Sequence, residues 1–253
     1  MKKISLTVLA IIILLSAFIF YNNNSPKLII SSLSRKSNIK SGELVYRVNL
    51  FGVIPAADAI LKGERLEEHN GQKAYHLSAT ANSLRCWAKM FAADAVLDSY
   101  IDTHTYNPML FRQKTTLSNG KNINKEVLYD QKSGIMTVDD VKRSILPNTQ
   151  DPLSLVFNIR HMDFDKIKEF ETNINTNQKN YIFKATTQTK NISVNKKTYK
   201  TIFLKAIIRR RDKSLYHQSQ ISIVLLKDKE NIPVLIRVFS SGILINARLV
   251  DIQ

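Results

Sequence analysis

Reactive side chains are densest in the stretch "TQDPLSLVFNIRHMDF", which begins at Thr149. A histidine close to a carboxylate is the usual arrangement of a general base, and His161 with Asp151 or Asp163 is the one pairing here that fits it. Together with a nucleophile from elsewhere in the fold, such a pair would make the chain a hydrolase. No Gly-x-Ser-x-Gly motif provides that nucleophile. The stretch therefore gives only a weak indication of catalysis.

A helix explains the same stretch without chemistry. Asp151 can accept hydrogen bonds from the free N–H groups of a first helical turn, and Pro152 suits the first helical position. Ser154 lies in that turn, where its hydroxyl can support the cap. Apolar residues then follow at helical spacing through His161. The sequence predicts one short amphipathic helix over Pro152 to Met162, with Asp151, Pro152 and Ser154 in structural roles.

No metal or cofactor site is predicted. Asp94, Asp98 and Asp102 recur every four residues, and three carboxylates could bind calcium, but no calcium-binding loop surrounds them and a polar sheet face is the simpler interpretation. The five histidines form no zinc-type pair. Cys86 is the only cysteine, so it forms no internal disulfide. With no phosphate-binding glycine loop either, the sequence favours a protein that is not an enzyme.

The chain is strongly basic, with a formal net charge of +16 over 253 residues. Such a charge favours anionic surroundings. The basic residues are scattered, and the densest run, Arg209 to Arg211, should alternate between two faces if it lies on a strand. We therefore expect no concentrated patch and no nucleic-acid partner, but a weak attraction to anionic envelope components such as lipid headgroups.

The N-terminus predicts export. Lys2 and Lys3 precede an apolar run from Ile4 to Tyr21, the pattern of a signal peptide or an uncleaved signal anchor. Residues 1–21 are assigned to that segment, with residues 4–21 as a transmembrane helix if it is not cleaved. Residues 22–41 are rich in Ser, Asn and Lys, and we interpret them as a polar tether.

Residues 42–253 predict a single β-rich domain. Alternating stretches such as "ELVYRVNLF" and "AYHLSATANSL" have the period of two expected of half-buried strands. The second half continues with stretches rich in β-branched and aromatic residues, including "KNISVNKKTYKTIFLKAIIRR". The predicted fold is mainly β: one antiparallel, strongly curved sheet or open barrel of about ten strands with one short helix, preceded by the N-terminal transmembrane or signal helix.

The stretch that holds Asp151 also resembles the "DPLSxxYxLR" segment of a bacterial family, domain of unknown function 3108. Other pieces resemble the family in the same order, among them "LDSYIDTHTYNPMLFRQ" and "LLKDKENIPVLIRVFSSGILINARL". The family-like positions are Asp151, Pro152, Leu153, Ser154 and Arg160 in the first stretch, and Gly42, Glu43, Tyr46, Ser99, Asp102, Pro108, Phe111, Asp130, Asp228, Pro233, Val234 and Gly242 elsewhere. The resemblance implies an exported, β-rich protein and brings no catalytic residue with it.

Three functions remain open from the sequence. The leading one is a non-enzymatic protein, anchored in the bacterial inner membrane with its domain in the periplasm, or secreted there after cleavage. It would bind a lipid-like or apolar ligand on the concave face of the sheet, with the predicted helix at the mouth, and this requires an apolar pocket that its own side chains leave unfilled. The alternatives are a scaffold that docks an envelope protein, and a cell-wall or lipid hydrolase.

Overall fold

The computed structural model describes residues 26, 29–30, 42–84, 93–117, 119–176, 179–211, 218–228 and 230–253. They form strands β1 to β15 and helix α1, and the described residues 26, 29 and 30 are also helical. The strands are β1 (Leu44–Leu50), β2 (Ile54–Leu61), β3 (Arg65–His69), β4 (Gln72–Ser83), β5 (Ala93–Asp102), β6 (Pro108–Leu117), β7 (Asn122–Asp130), β8 (Ile135–Val138), β9 (Val141–Ser144), β10 (Glu169–Thr176), β11 (Lys179–Val194), β12 (Lys197–Arg210), β13 (Gln218–Leu226), β14 (Ile232–Ser240) and β15 (Ile243–Ile252). Helix α1 spans Pro152–His161.

All of the strands belong to one antiparallel sheet, ordered β10-β11-β12-β13-β14-β15-β1-β2-β4-β5-β6-β7-β8-β9, with β3 paired to β4 off this path. Neighbours in the sheet are mostly neighbours in sequence, as in a chain of hairpins. The exceptions are β2, which pairs with β4, and the pair β1 and β15, which joins the two ends of the domain. The prediction of a mainly β, antiparallel, unclosed sheet with one helix is confirmed.

The expected number of strands was wrong, because the sheet has 15 rather than about ten. Part of the error lies in "KNISVNKKTYKTIFLKAIIRR", where the chain reverses at Asn195 and Lys196. These two residues have φ values of 49° and 63°, which make a tight two-residue turn between β11 and β12. The turn contains neither glycine nor proline, so no breaker signal marks it in the sequence. Short strands such as β8 and β9 account for the rest.

The segment that follows β9 is bridged to β10, the strand at the other edge of the sheet. After β9 the chain turns back along β10, and Gln150 pairs with Ile174 in parallel. The Gln150 N–H donates to the Asn173 carbonyl at 2.8 Å, and the Asn175 N–H donates to the Gln150 carbonyl at 2.8 Å. Side chains add to this contact, since Asn173 Nδ2 donates to the Pro147 carbonyl at 2.7 Å and Asn180 Nδ2 donates to the Ser144 carbonyl at 3.1 Å. Among the described residues, the two edges are therefore linked without a closing ladder between β9 and β10. We call this contact the seam.

Helix α1 fills the inner face of the sheet. Leu153 and Phe157 belong to one buried apolar cluster, which also holds side chains of β1, β4 and β5. Leu155 and Ile159 belong to a second, formed with side chains of β11, β12 and β13. The side chains of the protein itself occupy this face. In the described residues the helix therefore does not stand at the mouth of an open apolar pocket, which corrects our expectation for the concave face.

Two residues of the predicted tether belong to the core. Ile29 and Ile30 are helical and buried at 3% and 0% exposure, in the same cluster as Leu153 and Phe157. The N-terminal signal segment, residues 1–21, lies outside the described residues. Within the described ranges, no helix has both the length and the apolarity needed to cross a membrane.

Candidate functional site

The start of α1 is a buried polar node centred on Asp151. Asp151 Oδ1 accepts hydrogen bonds from the Leu153 and Ser154 N–H groups at 2.7 and 2.9 Å. The Ser154 hydroxyl accepts one from the Asp151 N–H at 2.9 Å, which completes a reciprocal cap. Asp151 Oδ2 accepts from the Ser99 hydroxyl on β5 at 2.6 Å. The predicted capping roles of Asp151, Pro152 and Ser154 are therefore confirmed.

The Asp151 carboxyl group is fully buried, and burial raises its pKa from 3.8 to about 6. The hydrogen bonds from Ser99, Ser154 and Leu153 oppose that increase but do not cancel it. Both oxygens are occupied by structural donors and neither reaches solvent. Asp151 therefore has a structural role: it caps helix α1 and connects it to β5.

The end of α1 carries a second charged group, in which Arg160 is the centre. Its side chain is only 4% exposed and contacts Glu64 Oε1 at 3.2 Å and Glu230 Oε2 at 2.6 Å. Burial raises the pKa of the Glu64 carboxyl, and the Arg160 charge opposes this. Asn231 Nδ2 donates to the Arg160 carbonyl at 2.9 Å. Arg160 thus connects the helix to the β2–β3 and β13–β14 connections.

His161 has partners other than those that we predicted. Its Nδ1 lies 2.9 Å from the Phe157 carbonyl, and its Nε2 lies 3.4 Å from Glu64 Oε2. Both ring nitrogens are thus engaged, and the predicted pairing with Asp151 or Asp163 is wrong. No nucleophilic side chain contacts the histidine in the described ranges, so the geometry does not support the hydrolase alternative.

The remaining family-like residues occupy turns, strand pairs and the core. Gly42 is required by close packing, because a Cβ atom there would meet the Gln253 carbonyl, and Glu43 pairs with Gln253 through both backbone groups. The Tyr46 hydroxyl donates to the Pro233 carbonyl at 2.8 Å. Asp102, Asp130 and Asp228 accept backbone N–H groups of their own turns. Pro108, Phe111 and Val234 are buried, and Gly242, with φ of 79°, forms the β14–β15 turn.

The three regularly spaced aspartates do not converge. Asp94 Oδ1 accepts from the Ser83 N–H at 3.2 Å, Asp98 Oδ1 lies 3.0 Å from His76 Nε2, and Asp102 caps its own turn. No group of three or more potential metal ligands occurs in the part of the chain that the structure describes.

A cavity of about 870 Å³ on strands β10 to β15 has room for a ligand. Lys184 and Lys205 point into it, whereas their neighbours Phe183, Ala185 and Leu204 are buried on the α1 side. Because side chains alternate along a strand, the cavity lies on the face opposite to α1. We call this the cavity face.

The cavity combines positive charge with apolar surface. Lys184, Lys205, Arg209 and Arg237 line it, against one carboxylate, that of Glu171. In the described ranges, Lys184, Lys205 and Arg209 make no ion pair. The apolar lining includes Ile207 and Phe239, which are 44% and 47% exposed.

This cluster of cations was not predicted from the sequence, because Arg209 was considered only together with its sequence neighbours Arg210 and Arg211. The register places Arg209 opposite Ile182 and Lys184 opposite Ile207, so the positive charge is concentrated across strands rather than along one. The sequence does contain an indication of this group, because Lys184, Lys205 and Arg209 all occupy polar positions of stretches in which polar and apolar residues alternate. Reading it requires the strand register, which the sequence does not provide.

Comparisons with known proteins support the family and the fold. A family model described as "Protein of unknown function (DUF3108)" matches residues 45–242, and no curated protein matches the chain. Among solved structures, the crystal structure of a beta-barrel-like protein of domain of unknown function DUF1849 from Brucella abortus is similar, with a TM-score of 0.53 and 12% identity. The match covers 83% of this chain and 97% of that one. At this identity the likeness concerns the fold alone.

Proposed function

Because the chain belongs to the DUF3108 family, whose description gives no function, we propose a function from the geometry of the cavity face. The protein is a non-enzymatic binding protein for an anionic amphiphile, meaning a lipid-like molecule with an apolar part and a negatively charged head. The single observation that carries this proposal is the cavity of about 870 Å³ lined by Lys184, Lys205, Arg209 and Arg237.

The size and lining of the cavity suit such a ligand. Small-molecule sites have volumes of roughly 300–1,000 Å³ and combine apolar surface with a few oriented polar groups. Ile207 and Phe239 offer that apolar surface beside the cations. An anionic head near Lys205 and Arg209 gains charge-assisted hydrogen bonds, while a neutral lipid would leave those charges without a partner. The cavity therefore favours anionic over zwitterionic amphiphiles.

The proposed location is the cell envelope, with the domain facing the periplasm. Lys2, Lys3 and the apolar run from Ile4 to Tyr21 support it, because this order of charge and apolarity directs export. An anchored protein there is surrounded by anionic lipids, which are the class of ligand that the cavity suits.

A scaffold role is the second candidate, and β3 is the observation that favours it. This strand pairs only with β4 among the described strands, and its Leu66 side chain is 60% exposed. An open edge of this kind can accept a strand from a partner. β3 is only five residues long, however, so we rank this role below ligand binding.

Site-specific photo-crosslinking of the full chain in bacterial cells tests the proposal. A photoreactive amino acid at Ile207, inside the cavity, should capture an anionic lipid that mass spectrometry identifies. The same group at Leu66, on β3, should capture none. Exchanging Lys184, Lys205 and Arg209 together for Gln should reduce the lipid adduct at Ile207 by at least about tenfold, which corresponds to roughly 1.4 kcal/mol of binding free energy.

Two results would contradict ligand binding at the cavity face. A captured polypeptide at Ile207 in place of a lipid would support the scaffold role. Equal lipid adducts at Ile207 and Leu66 would show contact with lipid without a site.

A further inference from the structure

Three large apolar side chains are exposed together at one end of the sheet. Phe51, Phe239 and Ile243 are 57%, 47% and 43% exposed. Phe51 lies in the β1–β2 turn, while Phe239 and Ile243 flank the β14–β15 turn. We call this the hairpin end.

The strand register shows that these turns are neighbours. β1 pairs with β15, with Leu50 opposite Ile245, and Phe239 is paired with Leu244 across the β14–β15 hairpin. The Asn246 side chain also donates to the Gly52 carbonyl at 3.4 Å, which holds the β1–β2 turn against β15. The two turns that carry Phe51, Phe239 and Ile243 are therefore adjacent at one end of the sheet.

Turn chemistry does not explain Phe51. Its φ is 50°, a left-handed conformation that favours Gly, Asn or Asp in a turn and is uncommon for a bulky residue. Its ring is more than half exposed, so burial in the core does not account for it either. An exposed aromatic residue in a strained turn position is available for contact with a partner outside the domain.

Positive charge lies close to this apolar surface. β12 ends at the same end of the sheet, two strands away from β14, and carries Arg209 there. Arg211, which follows β12, donates to the neutral Asn173 side chain, so that contact leaves its charge uncompensated. Lys184, next to this group on β11, makes no ion pair within the described ranges. Apolar turn tips beside cations are the combination that binds the headgroup region of an anionic bilayer.

We propose that the hairpin end inserts Phe51, Phe239 and Ile243 into the headgroup region of an anionic lipid bilayer, with Arg209 and Arg211 in contact with lipid phosphates. The observations that carry this proposal are the adjacent apolar turns and the charge beside them. It goes beyond ligand binding, because it needs a bilayer surface and two residues, Phe51 and Ile243, that do not line the cavity. It also places one end of the cavity, at Phe239 and Arg209, against the lipid surface.

A local fluorescence measurement on the full chain tests the insertion. Cys86→Ser removes the native thiol, and Phe51→Cys then carries a single environment-sensitive NBD dye. In phosphatidylcholine vesicles with added phosphatidylglycerol, the emission should shift to shorter wavelength, because the dye enters the interface. The matched control is Leu66→Cys with the same dye: Leu66 is exposed to 60% and lies on β3, away from the hairpin end. The control dye should keep its aqueous emission.

The charge contribution is tested in the same protein. Exchanging Arg209 and Arg211 for Gln should abolish the shift at position 51, as should vesicles made of phosphatidylcholine alone. Ile243→Cys is the second labelling position if the Phe51 variant does not fold, and it should behave in the same way.

Three outcomes would overturn the inference. One is an unchanged emission at positions 51 and 243 in anionic vesicles. The second is an equal shift at the control position 66, since the apolar N-terminal segment alone could bring the whole protein to the vesicle. The third is a shift that does not depend on anionic lipid. A lipid adduct at Ile207 does not require this insertion, so the failure of one proposal is distinguishable from the failure of the other.

Discussion

Asp151 joins two elements through a single side chain. Its Oδ1 caps the first turn of α1, and its Oδ2 holds the Ser99 hydroxyl on β5. The helix is therefore fixed to the sheet at its first residue. The Asp151 carboxyl group has no access to water, and its charged form is therefore disfavoured in the folded protein. The stability of the protein consequently depends on pH.

We predict that Asp151 makes the protein less stable at pH 7 than at pH 4. Burial raises the pKa of its carboxyl from 3.8 to about 6 in the folded protein. Between these values the folded state binds more protons than the unfolded state, so the free energy of unfolding falls as pH rises. The total fall is about 3 kcal/mol, and it ends above pH 6.

Urea unfolding at several pH values measures this dependence. Asp151→Asn removes this titrating group and keeps one cap acceptor, so the variant should lose the part of the fall that Asp151 contributes between pH 4 and pH 6. Asp151→Ala also loses the cap and leaves buried donors unpaired, so its unfolding free energy should drop by about 2–3 kcal/mol. An identical pH dependence in the wild type and the Asn variant would contradict the raised pKa.

Arg160 is the second residue with a large predicted effect. Arg160→Met leaves the partly buried carboxylates of Glu64 and Glu230 without their cation, and we expect a loss of about 3–5 kcal/mol of unfolding free energy. Chemical denaturation measures it. Adding Glu64→Gln to that variant should restore part of the loss, because one uncompensated charge is removed. A double variant no more stable than Arg160→Met would contradict the pairing.

The two ends of α1 show what single residues reveal in a sequence. Asp151, Pro152 and Ser154 are predictable because the cap and the helix lie within four consecutive residues. The ion pairs of Arg160 are not, since Glu64 and Glu230 come from distant connections that only the folded sheet brings together. His161 illustrates the same limit, because the nearest carboxylate in space is not the nearest in sequence.

The β11–β12 hairpin is the element in which local chemistry fits least well. Asn195 and Lys196 both have positive φ, which Asn tolerates and Lys does not favour. We predict that Lys196→Gly raises the unfolding free energy by up to about 1 kcal/mol, because glycine removes the strain. Thermal or urea unfolding measures the change. Lys205→Gly, inside β12, should instead lower stability, since glycine there only adds backbone freedom; stabilisation by both would refute the turn argument.

The alternation of polar and apolar residues was enough to predict the fold class, but not to predict where each strand begins and ends. Alternation along β1 predicted a strand, because Leu44 and Tyr46 are buried while Val45 and Arg47 between and beside them are not. The turn at Asn195 and Lys196 was missed because tertiary pairing, rather than a breaker residue, imposes it. The cavity face was missed for a related reason, since its cations come from several strands and become neighbours only in the sheet.

The seam adds a second connection between the two parts of the sheet, besides the β1–β15 pairing. The Gln150 side chain donates to Asn107 at 2.8 Å and accepts from Asn158 at 2.9 Å, so it supports the backbone bridge beside it. We predict that Gln150→Ala lowers the unfolding free energy by about 2 kcal/mol, because buried partners lose their hydrogen bonds. Backbone hydrogen exchange at Asn175 and at position 150, whose N–H groups make the bridge, should accelerate, whereas exchange in β4 should change little.

A control for the seam lies on the open surface. Gln220, on β13, lines the cavity and is exposed, so Gln220→Ala should leave both stability and exchange at Asn175 unchanged. Equal effects of the two substitutions would show that the bridge does not hold the edges together.

The pairing of β1 with β15 has a consequence for how the molecule is made. These strands lie at opposite ends of the domain sequence and meet in the middle of the sheet, where they join the β2–β9 part to the β10–β14 part. Each part can form its own hairpins while the chain is being synthesised, but the two parts can be joined only after β15 has been made. Contacts of such long sequence separation form slowly. Until β15 has been made, the edge of β1 is therefore exposed and open to pairing with other chains.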